Sequence, residues 1–127
     1  IAFLVSAFSQ STIGRGVLAG ASRPNHGPPS SSGIPCAAIV GITDEGAEIM
    51  KEYKGSPALD AGLLAAAQAV EHYEMSRYGT LKTWAQELGM PDAAALLEAT
   101  LKEEKATDAA LTSLAKSVVN VEAEAAL

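Results

Sequence analysis

A single cysteine, Cys36, leaves this 127-residue chain without any internal disulfide, and a lone thiol suits a reducing compartment such as the cytoplasm. No apolar run approaches the roughly 20 residues that span a bilayer, so no membrane association is expected. No basic cluster interrupts a net charge of −6, which argues against a nucleic-acid partner. Acids are missing from one whole region. Residues 1–43 contain no Asp or Glu, and Arg15 and Arg23 are their only formal charges. All 15 acids therefore lie between Asp44 and Glu124.

That first region has a composition of its own. Ser22 to Gly33 (SRPNHGPPSSSG) is a Ser/Pro/Gly cluster that predicts loop or disorder, and His26 within it has no expected role. Ile1 to Phe8 (IAFLVSAF) is compatible with a short helix, a strand or the end of a signal segment; the lack of acids also fits a transit peptide. The chain does not begin with Met, so a processed or trimmed start is expected. Two regions follow: an atypical segment over residues 1–35 and a helical domain over 36–127.

The second region lacks what would oppose helices. Residues 58–127 hold one proline, Pro91, show no alternating strand pattern, and are rich in Ala, Leu, Glu and Lys. Ser56-Pro57 reads as a cap followed by a first-turn proline. Gly89 suits the position just past a helix end, and Pro91-Asp92 opens the next helix. Two long antiparallel helices are predicted, near 57–88 and 91–118, each about 45 Å long if roughly 30 residues. The very short turn between them makes them neighbours. A shorter amphipathic helix is predicted from Ile42 to Tyr53, capped by Thr43, with Asp44 and Glu45 in its first turn. Glu45 and Glu48 are expected on its surface.

The helical spacing i, i+3, i+4, i+7 picks out Leu64, Ala67, Glu71, Glu74, Tyr78, Leu81, Ala85 and Leu88 in the first long segment. In the second it picks out Leu97, Leu101, Glu104, Asp108, Leu111 and Ala115, with Leu114 and Val118 close by. Glu71, Glu74, Glu104 and Asp108 thus interrupt the centres of two apolar stripes, whereas Lys102, Glu103 and Lys105 fall on a solvated face. Carboxylates are costly to bury unless something positive accompanies them. No Lys or Arg lies on either stripe, and Arg77 is the nearest basic residue, so a core salt bridge is a poor explanation. A metal ion is the better one. Hard carboxylate oxygens suit iron or manganese, and Tyr78, one turn beyond Glu74, is placed to donate a supporting hydrogen bond. His72 lies one step off the stripe and is expected beside the site or on the surface. Trp84, Tyr73 and Met75 are expected to pack, and Cys36 to be a buried or neutral thiol, since nothing in the adjacent sequence would lower its pKa.

Leu63 to Gly89 (LLAAAQAVEHYEMSRYGTLKTWAQELG), Leu96 to Leu111 (LLEATLKEEKATDAAL) and the preceding Cys36 to Met50 (CAAIVGITDEGAEIM) together resemble the bacterial YciE/YciF family. The resemblance covers about residues 36–118, and the combination of EHYE, YGTL and EEKATD carries it. It implies an all-α, ferritin-like four-helix bundle with a carboxylate-bridged two-metal centre and a link to stress responses. Glu71 then matches the ligand of the third helix, Glu74 an additional acid of rubrerythrin-like members, and Glu104 the ligand of the fourth helix. The superfamily's Glu-x-x-His pattern is not met: Thr107 stands three residues after Glu104, and Asp108 is the nearest candidate.

The family's first two helices contribute acids, and residues 1–43 have none to give. The break in composition upstream of Cys36 fits a truncated or altered family member, or a shifted upstream reading frame. One helix pair supplies half a site and leaves an apolar face, so a homodimer or larger homo-oligomer is expected to complete it. Two function classes follow: a di-iron or manganese protein handling iron or peroxide, and a structural helical module whose acids are remnants. Storage, peroxide reduction and oxygen activation use similar ligands, which leaves enzymatic activity open.

Overall fold

The structure, a computed structural model, describes residues 36–126. The expectations for Ile1 to Phe8, the Ser/Pro/Gly cluster and His26 lie outside these residues. Among them there is no strand; the chain runs through α1 (Ala37–Glu52), α2 (Ala58–Glu87) and α3 (Pro91–Leu114). A π-helical turn (Ala115–Val119) and a last short helix, α4 (Asn120–Glu124), prolong α3. The protein is an all-α helical bundle, and α2 packs along both α1 and α3.

Local chemistry sets most of the boundaries. The Ser56 hydroxyl accepts a 3.2 Å hydrogen bond from the Ala58 amide just ahead of α2, while Pro57, expected in the first turn, stands at the cap position and the helix begins one residue later. At the far end Gly89 adopts φ +66°, a left-handed conformation that suits glycine. Its amide donates to Gln86 O at 3.0 Å and the Met90 amide to Ala85 O at 2.8 Å. Those two bonds are the Schellman pairing, which satisfies carbonyls that the helix end would otherwise leave open. Pro91 then occupies the first turn of α3, where its missing N–H costs nothing.

Two boundaries differ from expectation. α1 begins at Ala37, not Ile42, because Ala37 to Ile42 contains no residue that breaks a helix and Gly41 is merely tolerated. Thr43 therefore sits inside α1, its hydroxyl donating back to the carbonyls of Ile39 and Val40 at 2.9 Å each, and does not cap. At the other end the helical path continues past residue 118, through the π turn to Glu124.

α1 crosses α2 closely at Gly62. A Cβ there would lie 2.8 Å from Ile49 Cγ2, so glycine is what permits the approach. Along the α2–α3 seam the core falls into two parts. Leu64, Leu111, Ala115 and Val119 cluster at the open end, and Ala85, Ala94 and Leu97 at the hairpin end, with Tyr78 against them. Several stripe residues depart from the expected burial. Leu81 of α2 and Leu88 just past its end are exposed, as are Leu114 and Val118. Trp84, expected to pack, is 59% exposed. Periodicity identifies the apolar side of a helix, but not how far a partner covers it.

Candidate functional site

Between the two apolar clusters the seam changes chemistry. Glu71 is 2% exposed and Glu104 8%, and they are the buried charged residues among those described. Glu74 is half-buried one turn along α2. One carboxylate oxygen from each of Glu71, Glu74 and Glu104 lies within 4.8 Å of the others. The antiparallel hairpin explains this meeting: Glu71 and Glu74 stand near the middle of α2, Glu104 near the middle of α3, and the tight Gly89 turn sets the two middles side by side.

The electrostatics are those of an uncompensated acidic cluster. Burial pushes the Glu71 carboxyl up to about 8; once protonated it shares a hydrogen bond with Glu104, and the charges of Glu104, Glu74 and Asp108 add to the effect. Burial, with the Glu104 charge, raises Glu74 to about 7. Tyr78 is raised to about 12, first by burial and then by Glu74 and Glu104. Glu71 Oε2 and Glu74 Oε2 are buried, and neither has a hydrogen-bond partner among the described residues. Buried polar atoms rarely go unsatisfied, and each such case calls for an explanation.

Among the described residues, none supplies a counter-charge to the cluster. Arg77, the nearest basic candidate, instead donates from Nε to Tyr73 Oη at 2.9 Å and lies 5.0 Å from the Tyr73 ring centroid. Lys82 pairs with Glu98 at 2.6 Å, one level further along. Among the described residues the seam therefore presents a three-acid oxygen cluster with no basic side chain paired to it, and such a set can hold a metal ion.

Asp108 has a different setting. Its Oδ1 accepts a hydrogen bond from Gln68 Nε2 at 3.0 Å and lies 3.2 Å from His72 Nε2. The structure thus brings three of the four predicted acids into one cluster and puts Asp108 beside it, near enough for its charge to act on Glu71. His72 is largely exposed, touching Asp108 rather than the cluster, as its place off the stripe implied.

Cys36 corrects the sequence reading. It is exposed rather than buried, and a distant residue acts on its thiol. The Tyr73 hydroxyl, 2.9 Å from its Sγ, holds the thiol below its usual range, helped by the Ile39 backbone. The two residues are 37 positions apart, and no local spacing points to the contact. The Tyr73–Arg77 pair, four residues apart on α2, is the part of this arrangement that helical spacing can indicate, although Tyr73 was expected only to pack.

A helical hairpin with carboxylates buried at mid-length defines the class, and comparison assigns the family. The family described as "Domain of unknown function (DUF892)" matches residues 26–124, and the chain belongs to it. The chain is 51% identical over 89 residues to Protein YciF of Escherichia coli (strain K12), covering 70% of this chain and 54% of that protein. It is also similar to the crystal structure of the E. coli stress protein YciF, with a TM-score of 0.66 and 49% identity over 69% of this chain and 55% of that one. The YciE/YciF resemblance is therefore correct. The chain spans about half the length of these relatives. Among the described residues no helix is long and apolar enough to cross a membrane.

Proposed function

We propose that the chain is a ferritin-like carboxylate metalloprotein that holds two iron or manganese ions and handles iron or peroxide in stress protection, in the cytoplasm. The observation that carries this reading is the pair of buried, unpartnered oxygens, Glu71 Oε2 and Glu74 Oε2, in one cluster with Glu104. Likeness to the E. coli stress protein YciF supports the physiological part. The unpaired Cys36 thiol suits the compartment.

The donor set fits the ion class, since hard oxygens without thiolate or imidazole favour iron and manganese over softer metals. When bound, such ions supply Lewis acidity and, for iron or manganese, a change of oxidation state. Glu71, Glu74 and Glu104 hold them. Asp108 belongs to the proposed ligand set at its edge, with Oδ1 steadied by Gln68 and His72. Near neutrality Glu71, raised to about 8, holds a proton and Glu74, raised to about 7, is partly protonated, and both would release protons in order to hold a metal ion. Tyr78 keeps its phenol proton throughout the neutral range, so it contributes no charge to the site.

Elemental analysis of purified protein tests the reading. The expected result is roughly two iron or manganese ions per assembled site, lost in Glu71→Ala and in Glu104→Ala. Absence of bound metal, with those variants as stable as the parent or more so, favours the second reading, a structural module with remnant acids. The physical ground for that second reading is that a protonated Glu71, hydrogen-bonded to Glu104, lessens the cluster's charge without any metal.

A further inference from the structure

The seam between α1 and α2 stops well before α2 does. Ile49 meets Gly62, Gly46 lies against Ala66, and Cys36 touches Tyr73, so lower numbers on α1 lie opposite higher numbers on α2. Those α2 positions share one side of the helix: Gly62 and Tyr73 are eleven residues apart, about three full turns. The same step leads from Tyr73 to Trp84, which also stands eighteen residues, about five turns, from Ala66. Leu88 follows one turn later at the helix end, and Leu81 lies about 60° round from Trp84. Among the described residues α1 begins at Ala37, and this continuation of its seam is exposed, Trp84 by 59%, Leu88 by 74% and Leu81 by 42%. The stripe outlasts its cover.

We propose that the chain's own residues 1–8 (IAFLVSAF) dock on this stripe and carry the α1–α2 seam on to the hairpin tip. Continuity favours that occupant. The chain reaches α1 from the Tyr73 end, so everything upstream of Cys36 joins the molecule where the covered part of the stripe gives way to the open part. Reach is ample as well. Trp84 lies about 16 Å beyond Tyr73 along the helix, and the 27 residues between Phe8 and Cys36 cover that distance without being extended. A tether of this kind holds its segment at an effective concentration on the order of millimolar, so a modest apolar contact suffices. The chemistry matches too. Seven of the eight residues are apolar, none has a charged side chain, and both phenylalanines of the chain are among them. An indole flanked by two leucines offers such a segment aromatic and aliphatic surface to share. Charge adds a weaker pull: Arg15 and Arg23 are the formal charges of residues 1–43, and all 15 acids lie beyond them.

Trp84 is the only tryptophan of the chain, so intrinsic fluorescence reads this stripe alone. In the full chain its emission is expected to be blue-shifted from that of indole in water, at every concentration across a hundredfold dilution. Acrylamide should quench it about threefold less efficiently than in a Phe3→Asp, Phe8→Asp variant, whose emission should be that of a solvated indole. Circular dichroism checks that the variant keeps its helices; should it lose them, Phe3→Ala with Phe8→Ala gives the same comparison with a milder change. Solvent-like emission from the parent overturns the proposal. So does an indole protected equally in parent and variant, which puts some other segment over the stripe. Protection that fades on dilution overturns it in favour of a second copy of the chain.

Discussion

The two ends of the α2–α3 seam and its middle are built from the same helices, yet they do opposite things. At the ends Leu64, Leu111, Ala115 and Val119, and separately Ala85, Ala94 and Leu97, bury apolar surface and hold the hairpin together. In the middle Glu71 and Glu104 occupy positions of equal burial and oppose folding when no cation is present. A helix pair with cohesive ends can carry a costly centre, and a costly centre is where function is most economically sought.

Truncating an end should show the largest loss. Leu111→Ala removes a side chain that is 5% exposed, and chemical denaturation should register about 2–5 kcal/mol of destabilisation. A value under about 1 kcal/mol would mean that the open-end cluster is not what holds the helices together. The middle should respond with the opposite sign. In metal-free protein near pH 8, Glu71→Leu is expected to stabilise by about 1–4 kcal/mol, whereas in manganese(II) the parent should be the more stable of the two. Destabilisation of the metal-free variant would show that the carboxyl is held by a partner of its own.

The pH dependence sharpens the same contrast. Glu71 has its folded pKa raised from 4.5 to about 8, so the folded state binds more protons than the unfolded chain between those values. Its contribution is fully present below about 4.5 and is lost as pH rises through about 8. Metal-free parent protein should therefore lose stability across that window by thermal denaturation, and Glu71→Leu should flatten the curve. An unchanged slope in the variant would remove Glu71 as its source.

Smaller effects are expected away from the seam. Gly62→Ala places a methyl 2.8 Å from Ile49 Cγ2 and should cost about 1–3 kcal/mol through strain at the α1 crossing. With Phe3→Asp and Phe8→Asp in place, Trp84→Ala, at a largely exposed position, should change stability by no more than about 0.5 kcal/mol. A larger loss would reveal a further covering surface over that indole.

Much of the fold and the centre of the site could be read from residue order. Ser56, Gly89 and Pro91 marked helix ends through short-range chemistry, and the spacing of Glu71, Glu74 and Glu104 within apolar stripes pointed to one interior location. What escaped depended on contacts between distant residues. The start of α1 hung on the absence of a breaker upstream of Thr43, the exposure of Leu81, Leu88 and Trp84 on where neighbouring helices stop, and the Cys36–Tyr73 contact on the crossing of α1 and α2. Asp108 shows the intermediate case: its stripe position is correct, but Gln68 and His72 hold Oδ1 beside the cluster.

The compact joint at Leu88, Gly89 and Met90 has a consequence for how such a chain can change over time. Because it leaves no slack, it fixes the rotational phase of α3 against α2. One extra residue between Pro91 and Glu104 would turn everything beyond it by about 100°, swinging Glu104 out of the seam while leaving Glu71 and Glu74 behind. Length variation is therefore far better tolerated beyond Val119 than within that thirteen-residue stretch from the joint to the acid.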